Sequence, residues 1–303
     1  MLRSALLTAA RSPGLRSAAE HSALTRPIVN RFVAGEQLDS ALAVARELAA
    51  DRLVSMDHLG ENTEDRAQAD AATEAYLALL DRLGAEGLAA KVEVSVKLSA
   101  LGQSLPGGGP ALATDNAARI CARAHTEGTT VTVDMEDHTT TDANLESVRE
   151  LRRDWPGTGA VLQAYLRRTE ADCAALARPG SRVRLCKGAY DEPASVAFRE
   201  RREVDESYRR CLRVLMAGEG YPMVATHDPA LIQHAGELGA ARDFEFQMLY
   251  GVRPEEQRRL AASGHRMRVY LPYGSAWFPY FMRRLGERPA NVMFFLRSFA
   301  SRH

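Results

Sequence analysis

Lysine is almost missing from this chain: of 39 basic residues only Lys91, Lys97 and Lys187 are lysines, and the rest are arginines. Where arginine is the default surface cation, a retained lysine points to a place that needs a compact ammonium with a tunable pKa. For Lys91, sampling is explanation enough. Net charge is missing too, with 39 basic against 39 acidic residues. That balance argues against a nucleic-acid partner held by electrostatics. The four cysteines (Cys121, Cys173, Cys186, Cys211) lack CxxC spacing and read as reduced, structurally buried thiols of a cytoplasmic protein. No apolar run approaches the roughly 18 residues that span a bilayer. No GxGxxG follows any strand-like segment, and LPGGGP (105–110) has no strand–turn–helix context, which argues against a Rossmann dinucleotide site.

What is present is an ordinary globular composition, 46% apolar and 26% charged. A length of 303 residues fits two small domains or one large α/β barrel. The first stretch, MLRSALLTAARSPGLRSAA, carries Arg3, Arg11 and Arg16 and no acid before Glu20. A transit peptide, a surface arm and a membrane-contact helix share that composition; with no cleavage pattern following, we read a helical arm over residues 1–50. Beyond it, strand-like runs occur at 52–59, 91–98, 130–136, 160–166, 182–188, 223–227, 244–249 and 267–273, rich in Val, Leu and aromatics. Helical patterns lie between them. ENTEDRAQADAATEAYLALLDRL opens with acids and spaces Ala72, Tyr76, Leu79, Leu80 and Leu83 along one face. TDNAARICARAH, TDANLESVRELRRDW and DPALIQHAGELGA each begin with a capping Thr or Asp. Eight βα units predict an α/β fold of the (β/α)8 TIM type over residues 51–303, with an open doubly wound sheet as the alternative. No internal boundary or repeat interrupts it.

In such barrels chemistry sits at the C-terminal strand ends. Those ends carry Asp57 and His58, Lys97, Asp134 through Asp137, Gln163, Arg184 with Lys187, Thr226 and His227, Glu245 with Gln247, and Tyr270 with Tyr273. Polar groups this dense are costly to bury without partners, so they mark a site. Three chemistries compete for it. A Schiff-base aldolase would use Lys97 or Lys187. A metal enzyme would use Asp134, Glu136, Asp137, His138 and His227, but no HxH or HExxH occurs, and strand alternation lets Asp134 converge with Glu136 while Asp137 points away. We expect no metal. A flavin would find partners for its ring edge, ribityl chain and phosphates in a mixed rim of Gln, Arg, Lys, Thr and His. KGAY (187–190) suits that role because Gly188 and Ala189 let the backbone approach a bulky group.

Seven segments carry a more specific signal: SVKLSALG (95–102), VDMED (133–137), VLQAYLRRT (161–169), RLCKGAY (184–190), ATHD (225–228), EFQMLYGVR (245–253) and YLPYGSAWFPYFMRRLGER (270–288). In this order they resemble the proline dehydrogenase family, FAD-dependent barrel enzymes that oxidise L-proline to Δ1-pyrroline-5-carboxylate. The length is similar to the short monofunctional bacterial form. The resemblance implies that Arg283, Arg284 and Lys97 grip the substrate carboxylate, with Glu287 paired to the arginines and Tyr190 and Tyr270 walling the pocket. It places Asp134 beside the substrate and Arg184 near the flavin N5 edge, both as catalytic residues. Met135, Gln163, Arg184, Lys187, Gly188, Ala189, Thr226 and His227 match cofactor-contacting positions. Cys186 departs from the apolar residue expected there.

Helical spacing agrees with the clamp: Arg283 and Glu287 are i,i+4, and Arg284 and Glu287 are i,i+3. The resemblance further implies a quinone acceptor, transient docking at the inner face of the cell membrane, and a separate pyrroline-5-carboxylate dehydrogenase as the next enzyme. A barrel that binds proline or flavin only as a sensor is the non-catalytic alternative.

Overall fold

A computed structural model describes residues 26–240 and 242–287, and elements are numbered among those residues. The strands are β1 Leu53–His58, β2 Val92–Val96, β3 Val131–Val133, β4 Gly159–Gln163, β5 Arg182–Cys186, β6 Tyr221–Ala225, β7 Glu245–Leu249 and β8 Arg266–Tyr273. All pair in parallel and in chain order. The ring closes where β1 pairs with β8, Leu53 opposite Arg268 through His58 opposite Tyr273. The fold is therefore a closed (β/α)8 barrel, and the open sheet is excluded.

The helices are α1 Arg26–Val29, α2 Leu38–Leu48, α3 Arg66–Ala85, α4 Gly109–Thr126, α5 Thr141–Asp154, α6 Thr169–Leu176, α7 Arg201–Ala217, α8 Pro229–Leu238, α9 Pro254–Ala262 and α10 Trp277–Glu287. In α3, Asp65 accepts from the Gln68 backbone N–H at its start, and Ala69, Thr73, Tyr76, Leu79, Leu80 and Leu83 form the buried stripe. Asp228 caps α8 in the same way, accepting from the Ala230 N–H. Two local expectations fail. Helix α4 starts at Gly109 rather than at Thr114, with Pro110 in its first turn. Thr114 lies inside it, donating back to the Pro110 carbonyl at 2.9 Å. A Cβ on Gly109 would sit 2.4 Å from the Gln103 carbonyl oxygen, which explains part of the glycine run. Strand β3 ends at Val133, and the chain turns into a 3-10 turn, His138–Thr140, capped by Asp137. Strand alternation therefore does not govern Asp134 and Glu136.

One alternation writes two cores. Val54 and Met56, Val92, Val94 and Val96, Val183 and Leu185, Phe246 and Met248, and Met267 and Val269 are buried and form the apolar clusters of the fold. The intervening residues are Ser55 and Asp57, Glu93 and Ser95, Arg182 and Arg184, Glu245 and Gln247, and Arg268 and Tyr270; they face the other way, into the barrel. TIM barrels commonly fill that interior with branched aliphatic side chains. Here it is charged.

A third apolar cluster seats α10. Ile28, Val29, Phe32 and Val33 pack with Leu59, Trp277, Phe278, Phe281 and Met282. Backbone bonds from Ala34 N–H to the Pro272 carbonyl (2.9 Å) and from Gly274 N–H to the Gly35 carbonyl (3.0 Å) tie residues 26–36 to the end of β8. Helix α2 buries Ala41, Leu42, Ala45 and Leu48 in the outer core. Residues 1–25 of the expected arm lie outside the described residues.

Candidate active site

Lys97, one residue past β2, lies over the barrel axis. Its ammonium donates to Asp57 Oδ2 at 2.7 Å and to the Tyr270 hydroxyl at 3.2 Å, and lies 3.5 Å from Asp134 Oδ2. Burial opposes the charge, but Asp57, Asp134 and Glu61 outweigh it and hold the Lys97 pKa above the ordinary lysine value. The group is a fixed cation. A Schiff-base lysine must be neutral, so the aldolase alternative loses Lys97; Lys187 forms ion pairs with both Asp205 and Asp228.

Asp134 joins Lys97 to Arg184. Its Oδ1 accepts from Arg184 at 2.6 Å and from the Ser95 hydroxyl at 2.8 Å, and its Oδ2 accepts from the Tyr270 hydroxyl at 2.6 Å. Arg184 also donates to Ser95 Oγ (2.9 Å), Ser55 Oγ (3.2 Å) and Gln247 Oε1 (2.5 Å). Its guanidinium lies 5.3 Å from the centre of the Tyr270 ring. Burial, then Asp134, raises the Tyr270 pKa well above its ordinary value, so the phenol stays a donor. Four strands thus bring Lys97, Asp134, Arg184 and Tyr270 into one bonded group.

Arg283 projects from α10 toward this group; the expected brace, Glu287, has its side chain outside the described residues. The partner of Arg283 is Glu61, three residues after β1, in a two-pronged ion pair of 3.0 and 2.5 Å. Burial pushes the Glu61 carboxyl up, and Arg283 and Lys97 overrule it, so its pKa lies below the ordinary value. Arg284 stacks on the Tyr280 ring, 5.2 Å from its centre. Tyr190 lies within electrostatic reach of Glu61, Arg283, Glu136 and Asp134, and burial raises its pKa. Glu136 does not converge with Asp134. Its carboxylate accepts from the Ser99 hydroxyl at 2.5 Å and the Ser99 N–H at 3.1 Å. Burial pushes it up to about 7, with Ser99 opposing and Glu61 reinforcing. Asp137 accepts from Thr139, so the three acids of DMED serve three separate partners.

The positions matched to a cofactor line the ends of β3 to β6. Met135 and Gln163 are buried, and Gln163 donates to the Glu136 carbonyl at 2.7 Å. Gly188 adopts φ +110°, and a Cβ there would fall 2.1 Å from the Tyr165 ring, so the Gly188–Ala189 turn tolerates no added side chain at its first residue. Thr226 is buried and accepts from the Asp228 N–H; His227 Nε2 accepts from the Leu249 N–H at 2.9 Å. Lys187, Arg201 and Arg253 surround Thr226–Asp228: Lys187 and Arg201 pair with Asp228, and Arg253 donates to the His227 carbonyl. Cations beside a glycine turn, with amide and hydroxyl donors nearer the axis, form a donor set that fits a phosphate-bearing flavin. The Cys186 thiol donates to the Leu162 carbonyl and is pushed up to about 11 by burial, which suits a filler role.

Sequence reasoning missed Glu61, Glu93 and Arg268. Glu61 belonged to a stretch read as an acidic helix start, although it sits just beyond β1, where barrel chemistry gathers. Glu93 and Arg268 lie at alternating positions of β2 and β8, and the inward period alone would have placed them in the barrel.

The proline dehydrogenase family model matches residues 41–297. The chain is 39% identical over 302 residues to proline dehydrogenase of Deinococcus radiodurans, covering 97% of this chain and 96% of that one. It is 37% identical over 279 residues to proline dehydrogenase 1 of Bacillus subtilis, covering 90% and 91%. Among solved structures, proline utilization A of Bdellovibrio bacteriovorus, inactivated by N-propargylglycine, superposes with a TM-score of 0.77 at 25% identity. That match covers 86% of this chain and 32% of the longer one. A Bradyrhizobium japonicum proline utilization A mutant gives a TM-score of 0.75 at 26% identity, covering 90% and 32%. The chain spans about a third of those longer proteins.

Proposed function

This chain belongs to the proline dehydrogenase family, and from that premise we propose that it oxidises L-proline at C5 to Δ1-pyrroline-5-carboxylate with FAD as its cofactor. The coarser activity is that of the family: an oxidoreductase that carries out the first step of proline catabolism. The observation that carries the finer reading is the bonded group Lys97–Asp134–Arg184–Tyr270 at the strand ends with Arg283 above it.

Bound FAD supplies the hydride acceptor. Lys187, Gly188, Ala189, Thr226 and His227 would hold the cofactor at the β5 and β6 ends, with Met135 and Gln163 contacting it from the β3 and β4 ends and Arg184 serving its reacting edge. Lys97, Arg283 and Arg284 take the proline carboxylate, with Glu287 proposed as a further brace on the arginines. Charge-assisted hydrogen bonds of this kind contribute roughly 1.5–3 kcal/mol each. Tyr190 and Tyr270 wall the ring, which fixes the approach of C5 and supplies the orientation from which most of the acceleration arises. Lys97, held protonated by three carboxylates, cannot serve as a base; proline must have lost its second amine proton before hydride leaves C5. Residues 1–50 act as an arm on a catalytic barrel formed by 51–303.

Electrons pass on to a quinone. On this reading the protein works in the cytoplasm, with transient docking at the inner membrane face and a separate pyrroline-5-carboxylate dehydrogenase consuming the product. Among the described residues no helix is long and apolar enough to cross a membrane.

Anaerobic, proline-dependent reduction of a dye by the purified protein tests the reading, and the protein should be yellow. A colourless preparation inactive toward proline overturns it. A yellow one that binds proline without reducing the dye leaves the sensor alternative in its place.

A further inference from the structure

Two β7 residues that the proposed mechanism does not use stand directly beneath Arg184. Gln247 Oε1 accepts from Arg184 Nε at 2.5 Å, and Gln247 Nε2 donates to Glu245 Oε1 at 2.5 Å. A guanidinium only donates and a carboxylate only accepts, so this amide cannot flip. Glu245 is gripped in turn by Arg268 through bonds of 2.7 and 3.1 Å, and Arg268 is anchored to the Val54 carbonyl at 2.9 Å. Glu245 and Gln247 are 1% and 3% exposed, which makes this arrangement expensive. Well-packed apolar residues in place of buried ion pairs are often neutral or stabilising, so stability alone does not account for a polar column here.

We propose that Gln247, oriented by the Glu245–Arg268 pair, is a positioning residue that fixes the plane of Arg184 for the reaction. It rests on the reading of Arg184 as the arginine at the cofactor edge. Asp134 and Ser95 hold one terminal nitrogen of Arg184 and Ser55 the other; Gln247 alone holds Nε, and with Nε the guanidinium plane is fixed. The charges inside the barrel balance: Lys97, Arg182, Arg184 and Arg268 against Asp57, Glu93, Asp134 and Glu245. Gln247 therefore orients Arg184 without adding charge beside it.

The test uses the holoprotein and two variants. Gln247→Leu removes both ends of the link at similar volume. The double exchange Glu245→Gln/Gln247→Glu keeps the hydrogen-bond chain and the net charge but moves the carboxylate against Arg184. Proline oxidation and bound flavin in the wild type are established first; their absence sinks the functional reading rather than this one. For Gln247→Leu we expect kcat to fall roughly tenfold or more, KM for proline to stay within about twofold, and the reduction potential of the bound flavin to shift. The exchange should return kcat to within about threefold of wild type and make the potential more negative, since a carboxylate then lies nearer the reacting edge. Gln247→Leu with unchanged kcat and potential overturns the proposal, whatever its melting temperature. If that variant does not fold, a wild-type potential in the exchange overturns it.

Discussion

Inside the barrel, Arg182, Arg184 and Arg268 each meet a carboxylate from a different strand or strand end: Glu93 at 2.6 Å, Asp134 at 2.6 Å and Glu245 at 2.7 Å. Over the mouth, Arg283 rides on a helix seated by Phe32, Trp277 and Phe281 and meets a loop carboxylate, Glu61. The interior arginines are locked by the sheet itself, so their geometry is fixed before any ligand arrives. The mouth arginine is aimed by one side chain and keeps N–H groups beyond the two that Glu61 takes. On the proposed function, the first region would hold the reacting centre still and the second would admit a small anion.

The largest expected effect tests the locked half. Arg268→Met leaves Glu245 buried without its principal partner, and breaking such a pair costs about 3–5 kcal/mol. Denaturant unfolding should show that loss, while Arg283→Met should cost less, because the Arg283 and Glu61 side chains keep 15% and 18% of their surface exposed against 9% and 1% for Arg268 and Glu245. Equal losses in the two variants would erase the distinction between the regions.

Glu136 lies between the halves and sharpens the boundary. Its carboxylate is held by Ser99, not by a cation, and burial carries it from an ordinary 4.5 to about 7. A carboxyl with a raised folded pKa holds its proton more tightly folded than unfolded. Its contribution is therefore full below about pH 4.5 and is lost as pH climbs through about 7, on the order of 3 kcal/mol. Unfolding free energy followed across that window should slope downward in the wild type and flatten in Glu136→Gln. A slope unaltered by the substitution assigns the titration elsewhere.

Next in size is the clamp. Arg283→Met should raise KM for proline about 10- to 100-fold, as expected for losing one or two charge-assisted bonds, with the reduction potential of the bound flavin unchanged. A shift in potential with KM intact would mean that the mouth arginine serves the reacting edge instead.

The two halves also differed in how far the sequence exposed them. The barrel was readable because the apolar alternation of VEVSV, RVRLC and MRVYL is a strong local signal, and strand ends locate chemistry in such a fold. The same alternation held the interior charges, but a two-residue period does not say that the inward set of β2, β5 and β8 is mutually paired. Lys97, Asp134, Arg184 and Tyr270 were legible as rim residues, and the structure bonds them to one another. Helical spacing offered Glu287, whose side chain lies outside the described residues, but it could not offer Glu61, the mate of Arg283 that the structure shows, which lies 222 residues away in sequence. Spacing sees only neighbours on one helix. Thr114 misled through a local signal: a good capping residue sits mid-helix because Pro110 starts the helix a turn earlier.

The smallest effect falls on Glu61, and it separates two uses of the pair. If Glu61 aims the guanidinium, Glu61→Gln keeps a hydrogen-bonding side chain in place but loses the charge, and the fork loosens. KM for proline should then rise several-fold, about 1 kcal/mol in transition-state terms, with kcat little changed. If Glu61 merely occupies Arg283 until an anion displaces it, removing its charge frees the fork and KM falls. The sign of the change decides between them. The geometry favours aiming: the two bonds to Glu61 leave Nε and one hydrogen on each terminal nitrogen for a second carboxylate, and Lys97 is drawn toward the same point by Asp57 and Asp134. On the aiming reading, a bound carboxylate would meet those remaining donors with the Arg283–Glu61 pair intact.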